Sequence, residues 1–235
     1  MPPRRRGACA VLVTCEHGGS RVPPRYRPLF AAQAALLDTH RGLDIGSLTM
    51  ARDLSAWLAA PLVSSSTTRL LVDLNRSLGH RRLFSEFTRE LPRAERERIL
   101  AQYYLPYRRQ VEGFIASSRQ AVVHVSSHSF TPVLDGRVRE ADIGLLYDPR
   151  RERERALAAR WKSAILQLEP ALRVRFNYPY AGRADGLTTA LRRRFPDAGY
   201  AGIELEINQR HPLSGGREWR RLRRTLAAAL ESALR

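Results

Sequence analysis

Apolar positions along this chain follow two alternating rhythms. Short runs rich in β-branched and other apolar residues occur at 8–15 (ACAVLVTC), 60–66 (APLVSSS), 121–128 (AVVHVSSH), 142–148 (DIGLLYD), 172–178 (LRVRFNY) and 200–208 (YAGIELEIN), and they predict strands. Between them, 44–60, 94–120, 151–170 and 216–235 repeat apolar residues at helical spacing. This alternation predicts an α/β fold of three layers, a mostly parallel or mixed sheet with helices on both faces. Residues 17–38 and 128–141 interrupt the pattern and read as longer loops. At 235 residues the chain suits one domain, 1–235.

Charge changes the picture less than its size suggests. A formal charge of +17 points toward nucleic acid, because clustered cations bind phosphate by releasing counterions. Lys162 is the only lysine, however, and the arginines fall mostly on helix faces such as RERERALAAR, where a solvated surface accounts for them. No specific nucleic-acid partner is expected. No apolar run reaches the roughly 18 residues of a membrane span, and the N-terminus lacks a cleavable leader pattern, so a cytoplasmic protein without a membrane partner is expected. Cys9 and Cys15 lie on one predicted strand, roughly 20 Å apart at strand rise, and cannot pair there.

The chemistry gathers at strand ends. VLVTCEHGGS (11–20) runs an apolar strand into Glu16, His17 and two glycines, the kind of terminus where open α/β sheets place ligands. HGGS resembles the oxyanion loop of lipases, but the chain has no GxSxG nucleophile, which counts against a serine hydrolase. It also has no phosphate loop, dinucleotide fingerprint, paired CxxC or HExxH. In AVVHVSSHSF, His124 and His128 are four apart on a strand, about 13 Å, too far for neighbouring ligands of one tetrahedral zinc. His128, nearer the strand end, is the better ligand, and His124 reads as a core or supporting histidine.

In GIELEINQR, Glu204 and Glu206 alternate with apolar residues and share one strand face. Two readings stand: an edge strand with one wet face, or a cation beside the sheet that offsets the paired carboxylates. RLLVDLNRS (69–77) offers Arg76 with Asn75 to a carboxylate, while Asp73 has Arg69 and Arg76 as available partners. Asp44 stands where a helix begins and reads first as an N-cap.

Taken in order, CEHGG, LDIGS, TRLLVDLNRS, HSFTPV with GRVREADIGLLYD, NYPYAG and ELEIN resemble the N-formylglutamate amidohydrolases across most of the chain. That family is similar in fold to the zinc carboxypeptidases. The resemblance implies one Zn²⁺ per chain held by His17, Asp44 and His128, with Glu16 the rival second ligand because Ser20 stands where carboxypeptidases have a glutamate. It implies Glu206 or Glu204 as general base. Arg69, Asn75, Arg76, Arg139, Asn177 and Tyr180 would bind the substrate, a small N-acyl amino acid such as N-formyl-L-glutamate, with histidine degradation as the setting. Another zinc deacylase or a carboxypeptidase-like peptidase fits the same residues, and a basic nucleic-acid-binding protein is the non-enzyme alternative. Oligomeric state is open.

Overall fold

The computed structural model describes residues 9–235. Residues 1–8, read above as lacking a leader pattern, lie outside it. In chain order the elements begin with β1 (Ala10–Cys15), 3-10 turns over Pro24–Asp38, α1 (Ser47–Leu58) and β2 (Leu62–Ser64). Next come α2 (Arg93–Ile99), a π turn at Leu100–Tyr104, α3 (Leu105–Ser117) and β3 (Val122–Phe130). A small hairpin of β4 (Val133–Leu134) and β5 (Arg137–Val138) precedes β6 (Ile143–Leu146), α4 (Glu152–Leu168) and β7 (Val174–Phe176). The chain ends with α5 (Leu187–Arg194), β8 (Tyr200–Asn208), α6 (Arg210–Ser214) and α7 (Gly216–Ala233).

Six strands form one mixed sheet in the order β2-β1-β3-β8-β6-β7. β2, β1, β3 and β8 are parallel, β6 runs antiparallel to β8, and β7 is parallel to β6. Each of the six expected strands is present, and the four expected helical stretches carry α1, α2 with α3, α4 and α7. The hairpin, α5 and α6 fall in stretches that carry no periodic apolar signal.

The two sheet faces are filled differently. One face holds Val13, Val125, Ile203 and Leu205 against α1, α4 and α7, and Trp161 of α4 donates its indole N–H to the Leu226 carbonyl at 3.1 Å. α7 presents Trp219, Leu222, Leu226 and Leu230 inward at helical spacing, so its arginines fall largely on the other side. The opposite face changes character along the strands. It begins with Leu12, Val122 and Tyr200, packed on α3 and α5, and becomes polar toward Glu16, Ser126, His128, Glu204 and Glu206. Register fixes this, because residues two apart share a face and His128 pairs with Glu206 as Ser126 pairs with Glu204.

β8 is therefore not an edge. It lies between β3 and β6 with all nine residues buried, which removes the wet-face reading of its two glutamates. Cys9 and Cys15 are both free thiols, and burial pushes Cys15 up to about 12. Among the described residues no helix is long and apolar enough to cross a membrane.

Candidate active site

β1 stops at Cys15, and the next two side chains both turn into the polar face. The glycines that follow serve close packing. A Cβ on Gly19 would lie 2.6 Å from the Ser66 carbonyl oxygen, so HGG is needed for the chain to pass the end of β2. Asp44 arrives from the segment before α1. Gly46, not Asp44, is the N-cap, and Asp44 contributes only its carbonyl, which accepts from Ser47 N at 3.1 Å and Ser47 Oγ at 2.7 Å. The Asp44 carboxylate is thereby left for other work.

That carboxylate joins the two histidines. Asp44 Oδ2 lies 3.2 Å from His17 Nδ1 and 2.8 Å from His128 Nδ1, and ligand atoms from all three buried residues fall within 4.8 Å of one another. Both imidazoles thus turn the same nitrogen toward one oxygen, while their far nitrogens are held by separate carboxylates. His17 Nε2 pairs with Asp73 Oδ1 at 2.7 Å, and His128 Nε2 with Glu16 Oε2 at 3.0 Å. Glu16 is fully buried. It accepts further from Tyr107 OH at 2.6 Å and Ser126 Oγ at 2.5 Å.

Glu16 therefore faces the back of His128, which accounts for its character without a role as second ligand. Burial opposes its ionisation, yet the hydrogen bond and charge of His128, with Ser126, hold it well below the usual carboxylate range. Asp44 and Asp73 are likewise opposed by burial and held well below it, Asp44 chiefly by His17 and His128 and Asp73 chiefly by His17 and Arg69. Arg69 bridges these two acids, donating to Asp44 Oδ1 at 3.0 Å and Asp73 Oδ2 at 2.9 Å. The Asp73 pairing expected with arginine is thus made, and its hold on His17 was missed. Ser126 and Tyr107 were missed as well. Ser126 had a signal, since it sits two residues before His128 on the same face.

Glu206 stands beside His128 across the β3–β8 ladder. It is 4 % exposed and its Oε2 has no protein partner. Burial, reinforced by the charges on Asp44 and Glu204 against the pull of His128 and Arg69, pushes its carboxyl up to about 8. On its other side lies Gly144, where a Cβ would meet the Tyr178 carbonyl oxygen at 1.9 Å and Glu206 Cβ at 3.2 Å. Glu204 is differently placed, because its Oε1 accepts from Thr188 of α5. His124 is a buried core residue between Thr14 Oγ1 and Tyr200 OH, each at 2.8 Å, and burial lowers it to about 4.

The remaining expected residues surround this centre. Asn75 Oδ1 accepts from Leu187 N at 2.6 Å, and its Nδ2 lies 3.5 Å from His128 Nε2. Arg76 donates to the Asp185 carbonyl at 2.7 Å, while its buried Nε makes no hydrogen bond and lies 3.9 Å from Asp73 Oδ2. Arg139 donates to Tyr180 OH at 3.3 Å and lies over that ring, and Tyr180 lines the open cleft that Arg69 and Asp73 share. Asn177 is spent on the turn itself, accepting from Tyr147 N and Gly182 N at 3.0 Å each. Its φ of 49° is the left-handed conformation that asparagine tolerates.

A mixed α/β sheet with a buried His-Asp-His group and an acid beside it has the makings of a hydrolase site. The sequence profile of the N-formylglutamate amidohydrolase family matches residues 9–211, and the chain belongs to that family, whose members hydrolyse C–N amide bonds. None of the curated protein sequences matches it. Among solved structures, the Agrobacterium tumefaciens gene product Atu2144 is 30 % identical with a TM-score of 0.80, over 96 % of this chain and 92 % of that one. An N-formylglutamate amidohydrolase from Ralstonia eutropha JMP134 is 19 % identical with a TM-score of 0.67, over 96 % and 93 %, and shares the fold.

Proposed function

We propose that this chain is a zinc-dependent amidohydrolase that cleaves small N-acyl amino acids such as N-formyl-L-glutamate. The observation that carries the reading is the junction of His17 and His128 on one oxygen of Asp44. Zinc bonds of about 2 Å in a tetrahedron set ligand atoms roughly 3.3 Å apart, and the two Asp44 distances are 3.2 and 2.8 Å. Asp73 and Glu16 on the far nitrogens fix ring orientation, as carboxylates behind metal-binding histidines do. The unpartnered Oε2 of buried Glu206 is the second sign of fit, since a cation at the cluster would offset its charge.

When bound, zinc acts as a Lewis acid and lowers the pKa of water toward about 7. Glu206 receives a proton at Oε2 and returns it to the leaving nitrogen, a role for which Glu204, already bonded to Thr188, is less free. Asn75 Nδ2, beside His128, and the Nε of Arg76, which makes no hydrogen bond, are donors for the substrate carboxylate and would hold the scissile amide in place. Arg139, steadied by Tyr180, offers a cation for a second carboxylate. Arg69 bridges Asp44 and Asp73 and helps keep both charged.

The test combines metal content with hydrolysis of an N-acyl amino acid panel before and after chelation. One zinc per chain with chelator-sensitive turnover supports the reading, and the best substrate defines its range. A chain that stays inert with zinc restored would sink it.

A further inference from the structure

We infer that the preferred substrate is longer and more acidic than an N-formyl amino acid: an N-acyl amino acid whose side chain bears an extended tail with more than one carboxylate. This rests on the amidohydrolase reading and adds to it. The cleft that begins at Arg69, Asp73 and Tyr180 has a volume of about 610 Å³, in the range of sites that enclose drug-sized ligands. A formyl amino acid would leave most of it empty.

The charge in the cleft is uneven. Its walls carry Arg41, Arg69, Arg81, Arg82 and Arg89 against Asp73 and Glu86. Asp73 is committed to His17 and Arg69, and Glu86 pairs with Arg41. Arg89 has Glu90 beside it at 3.3 Å, whereas Arg81 and Arg82 enter no ion pair among the described residues. Two cations thus face a cleft whose acids are already occupied, an arrangement that favours an anionic occupant.

These arginines ride on a pinned backbone. Asp73 N donates to the Leu83 carbonyl at 2.9 Å, Thr88 Oγ1 to the Leu71 carbonyl at 3.0 Å, and Ser85 Oγ to the Leu70 carbonyl. Residues 83–88 are therefore stitched to the segment that supplies Asp73, and Arg81 and Arg82 directly precede that pinned stretch. Phe84 adds an apolar wall and, with Arg81 and Arg89, also lines an adjoining cavity of about 440 Å³. Arg69 and Asp73, which contact Asp44 and His17, also line this cleft, so a substrate seated at the cluster would extend its side chain past them.

The experiment compares N-formyl-L-glutamate with the same compound extended at its γ-carboxyl by L-glutamate, and with a neutral-tailed extension of equal length. Zinc-loaded wild type is expected to favour the acidic extension by about tenfold in kcat/KM, through KM, and to lose that preference in high salt. The Arg81→Ala/Arg82→Ala double variant is expected to lower the ratio between acidic and neutral extensions toward one. Equal kcat/KM for the short and the acidic substrates, or a preference that survives in the double variant, would overturn the inference while leaving the amidohydrolase reading intact. Failure to hydrolyse any of the three would remove that reading and the inference with it.

Discussion

Glu16 Oε2 meets His128 Nε2 at 3.0 Å, so a residue adjacent to His17 in sequence serves the other histidine in space. The pairing explains why a fully buried glutamate follows a strand, and why Tyr107 and Ser126 surround it with donors. Together with Asp73 behind His17, it gives each ring its own carboxylate and leaves both Nδ1 atoms on Asp44.

Replacing either supporting acid should weaken metal binding without removing a ligand. Glu16→Gln and Asp73→Asn are each expected to lower zinc affinity about 10- to 100-fold, measured by competition with a chromophoric chelator. Wild-type affinity in both variants, with the fold intact by circular dichroism, would deny these carboxylates an orienting role.

Glu206→Gln should keep zinc and reduce turnover by about a thousandfold. Metal analysis alongside kcat separates loss of the base from loss of the site. Substantial remaining activity would move the proton transfer to Glu204, for which Glu204→Gln is the matching variant.

The raised pKa of Glu206 also sets a pH dependence. Burial and the nearby acids lift the folded-state value to about 8 from an ordinary 4.5, so ionisation is disfavoured in the folded chain. Stability of the chelated protein should therefore fall as pH rises through that window and level off above it. Glu206→Gln cannot titrate, and its stability advantage should grow across the same interval. Urea midpoints of both proteins between about pH 5 and 9 test this. An advantage independent of pH would show that Glu206 does not titrate differently on folding.

Zinc should stabilise the fold by mass action. At a free concentration 100 times Kd the gain is about 2.7 kcal/mol, or roughly 5–10 °C in Tm for a chain of this size. Differential scanning fluorimetry with and without zinc reads it, and His17→Ala should abolish most of the shift. An equal shift in that variant would place the metal elsewhere.

The sheet was legible because period-two and helical patterns coincide with burial on both faces, and each predicted strand carries enough apolar residues to declare itself. α5 was not, since LTTALRRR is short and mostly polar, and its place is fixed by Leu187, Thr188 and Leu191 packing on the sheet. Strand order was not legible either. Hence β8 could be read as an edge, when its glutamates are in fact buried beside β3. In the site, the resemblance carried by the ordered motifs points to His17, Asp44 and His128, and the fold brings these three together. Most of the support behind them was hidden because Tyr107 and Asp73 meet the cluster only through long-range packing, with Tyr107 91 positions from Glu16, whereas Ser126 shares its strand face with His128 two residues on. Asp73 was visible as an arginine partner, and nothing local to DLNR discloses its second contact.

The β3–β8 ladder joins His128 to Glu206 by direct register, with pairing that continues two residues beyond them to Phe130 and Asn208. The spacing between the proposed ligand His128 and the proposed base Glu206 is thus a property of backbone pairing. The segments that shape the cleft lie outside that pairing. On the proposed reading, chemistry and selectivity are separate parts, and exchanging segment 77–91 with that of a relative is expected to redirect substrate choice while the paired strands keep the chemistry.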